Sequence, residues 1–353
     1  MRRPSDLARA LLLILCLMLD ASQAGADEMA RVQMGQLAAS PRLRMFTLAQ
    51  AMDRGNVAPG VTRAMRGALE QAGYYHEGAP ARIGQSLRFS PVLAWDDNIN
   101  GGYFNDTLDL FGLQFQVNPA NLARAGWVLG GRVDGSLRWA LGEGRTADLT
   151  ASTELAWSPQ HEIGRANAGL QACLRNPVSG WTFADLCASA STAHRELSDS
   201  NAQTVSLRLA HLAGSALAAH ELSVEIEERW QTAGRQTGLT LGWGAVWDHA
   251  VTEVRVGIAT PIEGEQATRL QVSARASWMW GTRPVSVSLW HSEASGGRLL
   301  GMAREDAQTG IGLSVQARPG LSLDLTHQVT RSSIALFDEA RTGFGVRFQL
   351  GRH

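Results

Sequence analysis

The chain has 353 residues, and its 32 basic residues, all arginine, stand against 33 acidic ones for a formal charge of −1. A near-neutral total of this kind excludes a general nucleic-acid binder, which carries a basic face. No phosphate loop, nucleotide site or haem motif occurs, no metal pattern accompanies the three cysteines, and no cofactor is expected.

The chain starts "MRRPSDLARALLLILCLMLDASQAGADE". Arg2 and Arg3 precede an apolar run from Ala10 to Leu19, and Ala24-Gly25-Ala26 fits a small-residue cleavage site. This pattern predicts a secretory signal over residues 1–26, with an uncleaved anchor as the alternative. The run is too short for a transmembrane helix. Cys16 falls within the signal, and the bulky Leu15 before it does not suit a lipoprotein signal.

Residues 27–84 form a helical region and linker. In "SPRLRMFTLAQAMDRG", Ser40 is an N-cap, Pro41 opens the helix and Gly55 stops it. "PGVTRAMRGALEQAG" repeats the form from Pro59 to Gly73, which predicts one αα-hairpin on the periplasmic side. A lone pair leaves an apolar face uncovered, so it is expected to dock on the rest of the protein.

From residue 85 to 353 the period becomes twofold. Leu222, Val224, Ile226, Glu228 and Trp230 alternate with Ser223, Glu225, Glu227, Arg229 and Gln231. Val285, Val287 and Leu289 alternate with Ser286, Ser288 and Trp290, and at the chain's end Phe344, Val346, Phe348 and Leu350 alternate with Gly345, Arg347 and Gln349. Roughly 14 strand-like segments, many longer than the mean soluble strand of about 5–6 residues, predict an all-β, antiparallel up-and-down transmembrane barrel. Closure of the last strand on the first removes a hazardous edge. Trp95, Trp157, Trp181, Trp278 and Trp280 near segment ends resemble an aromatic girdle. The expected location is the Gram-negative outer membrane, with lipid and the barrel-assembly machinery as partners.

Within the mature chain, Cys173 and Cys187 flank "LRNPVSGWTFADL". A hairpin folding about Gly180 sets them opposite each other as a disulfide, the alternative being two unpaired thiols. Arg132, Asp134, Arg138, Glu154, Glu225, Glu227, Arg229, Arg255, Arg275 and Arg347 stand on the polar phase of strands and are expected to line the lumen. Asp96, Asp97, Asn98 and Asn100 read as an Asx-rich turn in preference to a calcium loop, so no metal is expected. In "LWHSEASGG", His291 and Ser292 are adjacent and point to opposite faces, which leaves His291 and Glu293 without a nucleophile unless Ser295 serves. No catalytic residue is assigned, and the protein is not expected to be an enzyme.

Three stretches carry a resemblance to a known family: "FSPVLAWDDNINGG" (89–102), "RLLGMAREDAQTGIGLSV" (298–315) and "THQVTRSSIALFDEARTGFGVRF" (326–348). They resemble the barrel of the surface lipoprotein assembly modifiers, at Asp96, Asn98, Asn100, Arg331, Ser333, Phe337, Asp338 and Arg341. That family has a longer N-terminal array of helical repeats, and here Ile334 stands where it has an asparagine. The resemblance implies export or surface display of a protein or lipoprotein client, guided without covalent chemistry. The alternatives are a passive, porin-like channel for small solutes, with the helices as plug or tether, and a lipid-modifying barrel enzyme.

Overall fold

The computed structural model describes residues 28–348 apart from 56–57, 77, 79 and 111–112. The expected signal at 1–26 lies outside the described residues. Three short helices come first: α1 (Glu28–Gly35), α2 (Pro41–Asp53) and α3 (Pro59–Gln71). Ser40 caps α2, its Oγ accepting from the Leu43 amide at 3.2 Å, and Pro41 occupies the first helical position. The sequence pattern predicts the pair α2–α3 and misses α1. That helix has eight residues and no basic side chain in its last turn. Tertiary contacts hold it instead: Val32 packs with Leu48, Ala51 and Val61, and the buried Arg31 pairs with Asp248 at 2.8 Å.

The strands are β1 (Ala81–Asp96), a small hairpin of β2 (Thr107–Leu110) and β3 (Leu113–Gln116), then β4 (Gly126–Gly142), β5 (Arg145–Ser158), β6 (Ile163–Ser179), β7 (Thr182–Arg195) and β8 (Ser198–Gly214). There follow β9 (Ala219–Gln231), β10 (Gly234–Val246), β11 (Val251–Ala259), β12 (Ala267–Trp280), β13 (Arg283–Leu299), β14 (Met302–Arg318), β15 (Leu321–Ser332) and β16 (Glu339–Phe348). All but β2 and β3 join in one closed antiparallel barrel of fourteen strands, as the twofold pattern predicts. The seam runs from Val92 opposite Arg347 to Trp95 opposite Phe344, so the last strand does close on the first.

One phase of each strand is apolar and faces out. Leu87, Leu155, Leu170, Leu207, Leu222, Ile226, Leu241, Ile258, Ile311, Leu325 and Phe344 are all exposed large apolar side chains on that phase. In water this surface would be far larger than a monomer exposes; in lipid it is the required outer band. No described helix is long and apolar enough to cross a membrane. The crossing is made by strands, and the protein is an outer-membrane barrel.

Short turns connect β4 to β5, β6 to β7, β8 to β9 and β10 to β11 at one end, where the helices also sit; the long segment 97–125 lies at the other. Barrels of this kind have short periplasmic turns and longer outer loops, which puts the helices at the periplasmic mouth. There they enter the barrel. Met34, Leu43, Met45 and Phe46 bury against Phe183, Leu212, Ala219, Val246 and Val251 of the wall, and the Phe46 and Trp181 rings meet edge-on at 4.9 Å. Tyr74, between α3 and β1, is half-buried beside this cluster, and burial pushes its phenol above the ordinary value.

Candidate functional site

The candidate site is the lumen, which a loop covers at the outer end and the helices fill at the inner end. Segment 97–125 folds back over the outer mouth. Asp96 accepts from the Asn98 amide at 2.9 Å and pairs with Arg165. Asn98 exchanges two hydrogen bonds with the backbone of Gly102, at 2.8 and 2.9 Å. Asn100 donates to the Leu122 carbonyl at 2.8 Å and accepts from the Arg124 amide at 2.9 Å. Both asparagines are fully buried. Their amides therefore replace water for a backbone that crosses the mouth, which is why an Asx-rich run stands here. Asp97 reaches the last strand, accepting from the Thr342 amide at 2.7 Å.

The late motif meets the same loop. Phe337 packs edge-on against Tyr103 at 5.7 Å and carries the Arg304 guanidinium 3.4 Å from its centroid. Asp338 accepts from the Ser332 amide at 2.7 Å and pairs with Arg331 at 3.5 Å. Ser333 accepts from the Glu305 amide at 2.9 Å, Asn105 donates to the Ala335 and Asp338 carbonyls, and Arg341 pairs with Glu339 while lying over Phe104. Stretches more than two hundred residues apart in sequence thus form one lid and its seat. Among the described residues no group of three or more His, Cys, Asp or Glu is placed to hold a metal.

Beneath the lid is a chamber of about 900 Å³ against β1, β4–β7, β15 and β16. Arg132 bonds Asp134 at 2.8 Å and lies 3.9 Å from Glu154, which Arg165 also reaches at 3.2 Å; Arg347 pairs with Asp324 at 2.9 Å. Arg88 lines the same chamber and has no ion pair among the described residues. Deeper in, Asp148 accepts from Arg138 at 2.6 and 2.8 Å and from Arg175 at 2.6 Å. Asp185 accepts a two-pronged pair from Arg42 of α2 at 2.6 and 2.8 Å, and Glu221 takes Arg208 at 2.7 Å together with the Ser40 hydroxyl. This ionic layer lines a crevice of about 640 Å³ between α2 and the wall, with Arg255 and Glu253 on the same lining.

The remaining polar-phase residues are placed as follows. Glu227 and Arg229 pair with each other at 3.0 Å, Arg275 donates to Ser286 at 3.2 Å, and Glu225 stands across from Thr240 and Arg208. Asp148, Arg175, Asp185 and Arg42 were not singled out from the sequence. The three wall residues sit on the same polar alternation as those that were, two residues from the cysteines or on the neighbouring strand, and that was the available signal. Cys173 and Cys187 are directly opposed across β6 and β7 and form a disulfide about the Gly180 turn. His291 lies on the outward phase, bonded to Thr309 at 2.8 Å and 3.4 Å from Glu293, while Ser292 belongs to the inward phase opposite Gln308. Thr309, His291 and Glu293 thus meet on the outward phase, and Ser292 does not join them.

No family model matches the chain, and no curated protein does. Among solved structures it is similar to OccAB4 of Acinetobacter baumannii at 7% identity, covering 77% of this chain and 99% of that one with a TM-score of 0.41. It is also similar to OccK1 (OpdK) of Pseudomonas aeruginosa at 11% identity, covering 75% and 99% with a TM-score of 0.41. A third, OccK2 (OpdF) of the same organism in complex with glucuronate, shares 7% identity over 76% and 98% with a TM-score of 0.42. At these values the likeness extends to the barrel architecture alone.

Two expectations are corrected here. The resemblance to the surface lipoprotein assembly modifiers fails: no family model matches, and the solved structures that do match are Occ/OprD porins. The motif residues Asp96, Asn98, Asn100, Arg331, Ser333, Phe337, Asp338 and Arg341 have a local reason instead, since they fold and seat a loop. The expectation of client export or surface display fails with it. The helices that would meet a periplasmic client are packed inside the barrel mouth, with Leu43 and Phe46 against its wall.

Proposed function

We propose that the protein is a passive outer-membrane channel for small polar solutes, with its N-terminal helices acting as a plug that narrows the periplasmic mouth. The observation that carries this reading is the polar chamber of about 900 Å³ between lid and plug, followed by the crevice of about 640 Å³ beside α2. Mixed charge on such walls sorts solutes by sign and size and needs no chemistry. The Arg42–Asp185 pair ties the plug to the wall, its side chains 15% and 6% exposed. Removing Arg42 takes away both of its hydrogen bonds and leaves Asp185 only the longer pair with Arg175 at 3.6 Å, at a cost of roughly 1.5–3 kcal/mol.

Arg42→Ala should therefore loosen the plug. Full-length protein and this variant, reconstituted in planar bilayers, would be compared by single-channel conductance in salt. The expected result is a small conductance for the parent and a larger or more frequent one for the variant. Silence from both, with each protein shown to be folded by heat-modifiable migration, would overturn the channel.

A further inference from the structure

The chamber wall of β1 and β4–β7 is charged, but the facing sector of β12–β15 has a neutral band at mid-height. Its inward phase carries Ser273, Ser288, Ser292, Gln308, Thr326 and Gln328 between Arg275 and Asp324 on one side and the Arg304–Asp306 pair on the other. In their midst stands Trp290. Alone among the tryptophans on the described strands it occupies the inward phase, paired across the ladder with Ser273 on one side and Gly310 on the other. The rest of the strand tryptophans serve the outer surface, as Trp95 and Trp127 do in their edge-on contact at 5.7 Å.

The lumen is shaped around this ring. A Cβ on Gly310 would overlap the indole, and one on Gly312 would stand 3.4 Å from it. Gly310, on the inward phase of β14, thus lets the ring lie along the wall. The side chain is only half-buried, and its Nε1 has no hydrogen-bond partner among the described residues and is not enclosed. A tryptophan in a lumen normally needs a partner for that N–H. Here the donor is left facing the lumen, ringed by hydroxyl and amide groups that both donate and accept.

An aromatic face set among neutral hydrogen-bonding groups matches a ring that has an apolar face and a hydroxyl rim. We propose that Trp290 is the platform of a sugar subsite in the lumen, taking the C–H face of a pyranose while Ser273, Gln308 and Gln328 exchange hydrogen bonds with its hydroxyls. This inference rests on the channel reading and names a solute class for it. A charged solute is served by the ionic wall and by Arg275 and Asp324, and the neutral band around the indole offers it only a desolvation cost. A flexible polyol offers the same hydroxyls without the flat face, and it would also lose more freedom on binding.

The test uses full-length protein folded in detergent and then in planar bilayers. Binding of glucose, maltose and sorbitol would be measured by calorimetry, and block of the open-channel current by the same solutes in bilayers. Glucose and maltose should bind and interrupt the current, and sorbitol should do neither. Trp290→Ala should weaken sugar binding about tenfold, the size of a lost aromatic contact, while Trp290→Phe retains most of it. Gly310→Ala, which pushes the ring off its seat, should reproduce the loss with the indole still present. Equal sugar affinity in parent and Trp290→Ala, or no sugar binding by a parent that conducts salt, would overturn the subsite and leave the channel standing. A parent that binds sugar in detergent yet never conducts would sink the channel reading instead.

Discussion

The two mouths of this barrel are closed by different physics. At the periplasmic end the closure is a small hydrophobic core: Met34, Leu43, Met45 and Phe46 of the helices are buried among Phe183, Leu212, Ala219, Val246 and Val251. At the outer end it is a loop fastened by amide side chains, ring contacts and surface ion pairs, with Ile99 beside Val128, Ala156 and Ile163 as a smaller apolar anchor. Apolar burial is non-directional and cooperative, and hydrogen bonds are directional and individually modest. The plug should therefore behave as a unit that is in or out, and the lid as a set of ties that loosen one by one. Variants at each end can break that contrast.

The largest effect is expected at the plug. Phe46→Ala removes a ring that is 7% exposed and touches Trp181. Core truncation of phenylalanine costs about 3–5 kcal/mol, more than the rest of one short helix can offset. The whole of α2 should lose hydrogen-exchange protection together, channel conductance should rise, and the barrel should still show heat-modifiable migration. Protection lost only around residue 46, with α2 otherwise intact, would mean the plug is not cooperative.

A smaller and more local effect is expected at the lid. Asn100→Ala leaves the Leu122 carbonyl and the Arg124 amide without their buried partner, each worth roughly 1–3 kcal/mol. Tyr103 and Asn105 keep their own contacts with the β15–β16 connection. Limited proteolysis from the outer side should find new cuts between residues 117 and 125 before any near 103. Cutting at both places at once would make the lid a unit like the plug, and the contrast would fail.

How far the sequence foretold this contrast depends on whether a feature is periodic. Alternation such as Leu222 to Trp230 against Ser223 to Gln231 is imposed by a wall with lipid on one side and water on the other, so strand type and the closed sheet could be read directly. The turn at Gly180 likewise set Cys173 against Cys187. Neither closure has a period. Ser40, Pro41 and Gly55 mark α2 as a helix, but nothing in its sequence says that Arg42 will face Asp185 across 143 positions. Nor does a run of Asp and Asn say whether it caps its own turn or binds across to Thr342, 245 positions away. That ambiguity is what made the two barrel ends resemble another family. Trp290 was visible on the polar phase, and only Gly310 opposite it shows that it is accommodated and not a break in the pattern.

The smallest energetic effect lies between the two closures and should be the most visible in transport. Arg88, Arg132, Arg165 and Arg347 line the chamber with Asp134, Glu154 and Asp324, four cations against three anions. The other three arginines are tied to carboxylates, so Arg88 is the charge left to act on a passing ion. Arg88→Glu makes the balance three cations against four anions. With no ion pair to break, stability should change by only about 0.5 kcal/mol, though the new carboxylate stands opposite Asp134 on β4. Charges facing one another in a narrow, partly desolvated lumen are poorly screened, so this single change should turn a weak anion preference into a cation preference. The reversal potential in a salt gradient reads the sign directly. An unchanged sign in Arg88→Glu, together with a changed one in Arg255→Glu on the crevice beside α2, would locate the selective step at the plug and make the chamber a vestibule.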